Sequence, residues 1–264
     1  MPEISIGDAE LYYESHGEGP PLILVSGLGG YASFWAPHVS ELARNFRTIT
    51  FDHRGIGGST KSRIRYSVEQ MADDVVKLMD ALGIGRASLI GHSTGGCIGA
   101  IIAIEHPDRL SRVAMISSWA KADAYFARLF ETRMSVLEEQ GPEAYVRHGS
   151  LFQYPPWWIA EHMEELRLAE RRAVDNFPPT EIVLSRMAAI VAYDRLADLG
   201  SIEVPVLVHV AKDDVTTPPY FSEELHARIP DSALHVIERG GHFCPHTAAQ
   251  EFRETVVPFL LDHG

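Results

Sequence analysis

Residues 89–103, LIGHSTGGCIGAIIA, run an apolar stretch into a glycine-flanked serine and then into small apolar residues. No other stretch constrains the fold as much. A strand that turns directly into a helix leaves almost no room for side chains at the turn. Glycines at 91, 95 and 96 supply that room, and the serine between them takes a strained conformation that projects its Oγ above the sheet. Gly91-His92-Ser93-Thr94-Gly95 therefore reads as the setting of a nucleophile. A bare G-x-S-x-G also occurs by chance in glycine-bearing loops, so the reading depends on partners elsewhere in the chain.

The rest of the chain supplies a matching framework. Strands and helices alternate, which predicts an α/β sheet. PPLILVSGLGG reads as a buried strand ending in a glycine-rich turn, and FRTITFDHRG as another strand ending at Asp52. From Tyr66 to Leu82 the apolar residues Val68, Met71, Val75, Leu78, Met79 and Leu82 fall at helical spacing and stop at Gly83. Between Lys121 and Leu199 the βα rhythm gives way to a helical stretch rich in Arg, Glu and aromatics, broken by YPPWW and FPP. The alternation resumes with VPVLVHVAKDD, the helix SEELHARI, the strand ALHVIERGGH and a last helix from Ala248 to Leu261. The expected organisation is a sheet core over 1–120 and 200–264 with a helical insertion over 121–199.

Serine is a poor nucleophile at neutral pH and needs a base, which a carboxylate in turn orients. In a strand–serine–helix fold the chain order is Ser, Asp or Glu, then His. Two acids, Asp213 and Asp214, end the strand after the insertion, and His242 follows Gly240-Gly241 after the next strand. Both positions fall at the carboxyl ends of parallel strands, where α/β sheets bind ligands.

LVSGLGG, FDHRGIGGS, GHSTGG, DDVTTP and GGH together resemble the α/β-hydrolase family over essentially the whole length. The resemblance implies a mostly parallel eight-stranded sheet flanked by helices, with a helical cap over the site. It makes Ser93 the nucleophile and His242 the base. Asp214 becomes the acid, because Pro218 completes a D-x-x-x-P pattern; Asp213 is the runner-up, expected at the surface or strand end, and Asp123 the remoter alternative. The oxyanion hole falls to the backbone N–H groups of Leu28 and Thr94. Family members often carry His-Gly where this chain has Ser26-Gly27, which opens the question of what steadies the loop. The SGLGG opening and LFQYPPWW are most similar to Rut-type aminoacrylate/carbamate hydrolases, and the outline also resembles 3-oxoadipate enol-lactonases. Those likenesses imply a small-molecule ester, lactone, amide or carbamate-like substrate.

Trp119, Tyr154, Trp157 and Trp158 are the candidates for the substrate pocket, although most cap aromatics are expected to form the cap's own small core. Arg128, Arg133, Arg147 and Arg186 are candidates for a carboxylate clamp, with exposed surface positions the commoner fate. His92 is expected to pack beside the serine, Asp52 and Arg54 to fix a loop, and Cys97 to face helix packing. No HExxH, Walker loop or early GxGxxG occurs, so no metal or cofactor is expected.

The net charge of −13 argues against nucleic acid and anionic membranes as partners. Two distant cysteines and a start without basic and apolar signal regions suggest a cytoplasmic protein, and a homodimer stays open. Two rival readings remain. One is a cofactor-free oxygenase, C–C hydrolase or lyase using the His–Asp pair as base. The other is a catalytically silent binding protein.

Overall fold

The computed structural model describes residues 2–262. Eight strands, β1 (Glu3–Ser5), β2 (Glu10–His16), β3 (Pro21–Val25), β4 (Arg47–Phe51), β5 (Ala87–His92), β6 (Leu110–Ile116), β7 (Val206–Ala211) and β8 (Ser232–Ile237), form one sheet in the order β1-β2-β4-β3-β5-β6-β7-β8. β1 and β2 pair antiparallel with their neighbours, and the remaining strands are parallel. Every residue of β5 and β7 is buried, as expected of parallel strands covered on both faces.

The helices of the core are α1 (Ala36–Leu42), α2 (Val68–Ala81) and α3 (Thr94–Glu105), and after the insertion α8 (Pro219–Arg228), α9 (Cys244–Thr247) and α10 (Ala249–Leu261). Four more, α4 (Ala124–Gln153), α5 (Pro156–Glu161), α6 (Met163–Asp175) and α7 (Thr180–Ala192), lie between β6 and β7. α2 starts where the Ser67 hydroxyl accepts from the Gln70 N–H at 3.1 Å, and the chain leaves it through Gly83 at φ +68°. α4 is broken at Gly141 (φ 83°), immediately before Pro142.

One face of the sheet packs against α2, α3, α8 and the inserted helices α4 and α7, and the other against α1 and α10. The chain runs outward from β3 to β4 and then returns across β3 to β5. That reversal opens a crevice beyond the carboxyl ends of β3 and β5, where open α/β sheets bind ligands. Among the described residues no helix is long and apolar enough to cross a membrane.

Candidate active site

The β5–α3 turn is as tight as its glycines imply. Ser93 sits at φ 56°, ψ −120°, a conformation that costs a non-glycine residue roughly 1–3 kcal/mol. Hydrogen bonds offset that strain: the Ser93 N–H donates to Ile116 O (2.8 Å), and Ser93 O accepts from Gly96 N–H (2.9 Å) and Ser118 Oγ (2.9 Å). At about 1 kcal/mol each they match it in size. A Cβ on Gly91 would lie 2.2 Å from Gly95 O, and one on Gly95 2.1 Å from Val25 O. Both neighbours are backbone, so neither can move aside.

From this turn Ser93 Oγ lies 3.0 Å from His242 Nε2. His242 Nδ1 lies 3.0 Å from Asp214 Oδ2, which sets the ring with its proton on Nδ1 and its lone pair on the nitrogen facing Ser93. All three residues are buried. A buried carboxylate is costly unless its lone pairs are met. Asp214 meets them: Oδ1 accepts from the N–H groups of Thr216 (2.8 Å) and Thr217 (2.9 Å), and Oδ2 also lies 2.9 Å from Thr217 Oγ1. The two other acids bond elsewhere. Asp123 caps α4 through the Phe126 N–H (2.8 Å) and accepts from Tyr220 Oη (2.7 Å).

Asp213 stands half-buried two residues after β7, the strand-end position expected from its sequence, and it also makes bonds that position did not announce. Its Oδ1 accepts from the N–H groups of Gly240 and Gly241, both at 2.7 Å, and so fixes the approach to His242. Its Oδ2 accepts from Trp157 Nε1 at 3.2 Å. The stretch around α5 is thus strapped across the loops that carry Asp214 and His242. Thr216 Oγ1 donates to Phe152 O (2.8 Å), and the Phe243 N–H donates to Gln153 O (2.9 Å). Trp158 stacks between Tyr154 and His162, with both ring centroids 4.5 Å away, and Tyr154 meets Phe243 edge-on. Trp119 is fully buried against Phe126.

His92 does more than pack. Its Nε2 donates to the main-chain carbonyl of His242 at 2.9 Å, and full burial holds its imidazole well below the usual histidine range, hence neutral. Beside Ser93, the loop after β3 comes so close that a Cβ on Gly27 would lie 3.0 Å from Ser93 Cβ. The N–H groups of Leu28 on this loop and of Thr94 at the start of α3 have no acceptor among the described residues. Asp52 holds the neighbouring loops by accepting from the Ala32 and Gly58 N–H groups at 2.8 Å each, and Arg54 forms a forked pair with buried Asp74. Burial pushes the Cys97 and Cys244 thiols far up, so both stay protonated and unreactive.

The arginines divide. Arg128 is exposed beside Glu131, and Arg147 is exposed. Arg133 and Arg186 are buried at 5% and 0% exposure, against the expectation of surface positions. A signal for this was present. Arg186 stands four residues after Ile182 and four before Ile190, and Arg133 continues the stripe Phe126, Leu129, Phe130, Leu137. Helical spacing puts each arginine on a buried face.

Among the described residues no group of three or more His, Cys, Asp or Glu side chains could hold a metal ion. The site is therefore a serine, a histidine and an acid in hydrogen-bond sequence beside two free backbone donors. The alpha/beta hydrolase fold family matches residues 20–249. The chain is 39% identical over 259 residues to "Putative carbamate hydrolase RutD" of Azorhizobium caulinodans, covering 98% of each chain. It is equally identical over 267 residues to the protein of that name from Caulobacter vibrioides, covering 98% of this chain and 99% of that one. Among solved structures, the enol-lactonase from Burkholderia xenovorans LB400 superposes with a TM-score of 0.92 at 29% identity, over 99% of this chain and 100% of that one. The chain belongs to the α/β-hydrolase family and is a hydrolase.

Proposed function

We propose that the protein is a serine hydrolase that opens a small ester, lactone, amide or carbamate-like carbonyl substrate through an acyl-enzyme on Ser93. The relay of two 3.0 Å contacts from Ser93 Oγ through His242 to Asp214 carries this reading. Ser93 Oγ attacks the carbonyl carbon as its proton passes to His242 Nε2. The developing oxyanion is met by the free N–H groups of Leu28 and Thr94. Collapse expels the alcohol, enol or amine, which takes the proton back from His242. Water, deprotonated by the same nitrogen, then releases the acid and restores Ser93. Asp214 holds the ring in the tautomer that both steps need.

The name of the relatives favours carbamates, and the Burkholderia neighbour favours enol lactones. The helices of 121–199 act as a cap on the core formed by 1–120 and 200–264. Tyr154, Trp157 and Trp158 serve mainly to strap that cap to the acid and base loops, and Trp119 forms part of the buried wall.

The test is turnover of a panel of p-nitrophenyl acyl esters and carbamates by wild type and Ser93→Ala. The variant is expected to keep its fold and to lose at least about 10⁴-fold in kcat. Comparable turnover by a folded Ser93→Ala protein would overturn the acyl-enzyme route.

A further inference from the structure

Arg186 is the least expected residue near the site. It lies on α7, fully buried, in a chain of net charge −13, yet no carboxylate pairs with it among the described residues. Burial lowers its pKa only to about 10, so it remains a cation at neutral pH. Burying an arginine without a counter-ion is costly, and the fold spends this one on main-chain acceptors. Nε and Nη2 converge on the Leu28 carbonyl at 3.3 and 3.1 Å, across 158 residues of sequence. Nη2 also donates to Nδ1 of buried, neutral His53 at 3.0 Å, and Nη1 reaches Arg54 O at 3.4 Å.

The grip falls on a particular peptide. Gly27 to Gly30 form a turn closed by the Gly30 N–H on Gly27 O at 3.0 Å, with Leu28 and Gly29 as its central residues. The Leu28–Gly29 peptide in the middle of such a turn is the one that flips between turn types, exchanging C=O and N–H between the two sides of the loop. The flipped form needs a positive φ at the third residue. Gly29 does not have one here, but lacking a Cβ it can take one freely. The nearest side-chain hydroxyl, that of buried Ser26, does not hold this peptide, since it has no hydrogen-bond partner among the described residues.

We propose that Arg186 is the positioning residue of the oxyanion loop, holding the Leu28–Gly29 peptide in one orientation so that the Leu28 carbonyl stays turned away from the side on which the same residue presents its N–H to the reacting carbonyl. This rests on the serine-hydrolase reading above. It also answers what steadies a loop that carries Ser26-Gly27: the stabilising group comes from the inserted helices. The cap would then contribute to rate as well as to selectivity.

Gly29 supplies the decisive variant. A Cβ there meets only Tyr31 Cδ2, at 3.9 Å, so alanine fits, and it disfavours the positive φ of the flipped form. The experiment compares wild type, Arg186→Met and the double variant Arg186→Met/Gly29→Ala. Its readouts are kcat and KM on a p-nitrophenyl ester, the Ki of an alkyl boronic acid that forms a tetrahedral adduct, and the rate of fluorophosphonate labelling of Ser93. Arg186→Met is expected to lower kcat and boronate affinity together, by about 10- to 100-fold, with KM within about threefold. Adding Gly29→Ala should restore most of both losses, which a role in cap stability alone would not produce. If Arg186→Met does not fold, Arg186→Lys replaces it. A lysine keeps the charge but cannot fork onto Leu28 O and reach His53 together, so the same pattern is expected at smaller size.

Unchanged kcat and boronate affinity in the Arg186 variant, or a loss that Gly29→Ala leaves untouched, would overturn the assignment while leaving Ser93 as nucleophile. A wild-type protein that neither turns over the esters nor labels at Ser93 would overturn the hydrolase mechanism and this inference with it.

Discussion

The β5–α3 turn and the helices between β6 and β7 are fixed by different kinds of contact. At the turn the constraints are close steric contacts, most of them with backbone. Gly91 faces Gly95 four residues on, Gly95 faces β3, and Gly96 leaves no space between its own Cα and Ser118 Oγ, which a Cβ would approach to 1.9 Å. The inserted helices reach the site through a few polar bonds from distant residues: Trp157 to Asp213, Phe152 O to Thr216, Gln153 O to Phe243, and the fork of Arg186 on Leu28 O. The difference teaches a division of labour. Steric constraint places Ser93, and long-range hydrogen bonds align the loops around it. Substitutions in the first region should therefore act in an all-or-none way, and those in the second should grade activity.

The sharpest break of that comparison lies at the acid. Asp214→Asn should turn the His242 ring to the wrong tautomer and cost about 10⁴-fold in kcat while the protein stays folded. Steady-state kinetics beside a circular-dichroism spectrum would check this; a loss under tenfold would move the orienting acid elsewhere. Next comes Gly95→Ala, whose Cβ would stand 2.1 Å from Val25 O on a strand paired on both sides. Urea unfolding should show at least about 3 kcal/mol of lost stability, and a loss below about 1 kcal/mol would mean that the turn has slack.

The sheet region also carries the acid sensitivity. His38 and His209 are buried, His209 with neither ring nitrogen hydrogen-bonded, and burial pulls both down to about 3. A folded-state value below the ~6.5 of the unfolded chain favours the neutral ring on folding. The stability it contributes is complete above about pH 6.5 and is lost progressively as pH falls toward 3. At pH 5 the loss is about 2 kcal/mol for each such histidine. His209→Leu should shrink the difference between urea midpoints at pH 7.5 and pH 5 accordingly. An unchanged difference would show that His209 takes up its proton without resistance.

The smallest effects belong to the strap. Trp157→Phe removes one hydrogen bond to Asp213, worth about 1 kcal/mol, and should lower kcat by roughly threefold to tenfold with little change in Tm. Asp213→Asn replaces one acceptor oxygen with an N–H₂ and should act in the same range. A 10³-fold loss at Asp213 would mean that the two acids share one task.

The same division explains what could be read in advance. That Ser93, Asp214 and His242 come together was legible because each stands at a strand end with its own local signature: glycines around the serine, D-x-x-x-P, and a double glycine before the histidine. The helix 68–81 and the helical stretch after β6 followed from periodicity. Thr217 and His92 were not legible, since their contacts with the triad residues depend on the loop path and on a main-chain carbonyl 150 residues away. Asp213 was placed at the strand end, but its bonds were not legible, because its partners are two N–H groups and an indole, none of which marks the sequence. Arg186 lies between these cases: its burial could be read from the spacing of Ile182 and Ile190, but its grip on Leu28 could not.

The most direct test of the central claim is intact-protein and peptide mass spectrometry after treatment with a fluorophosphonate at neutral pH. The account predicts one adduct per chain, on the peptide containing Ser93, formed rapidly by wild type, slowed by Asp214→Asn and absent from Ser93→Ala. An adduct on another residue, or no adduct on a folded protein, would contradict it.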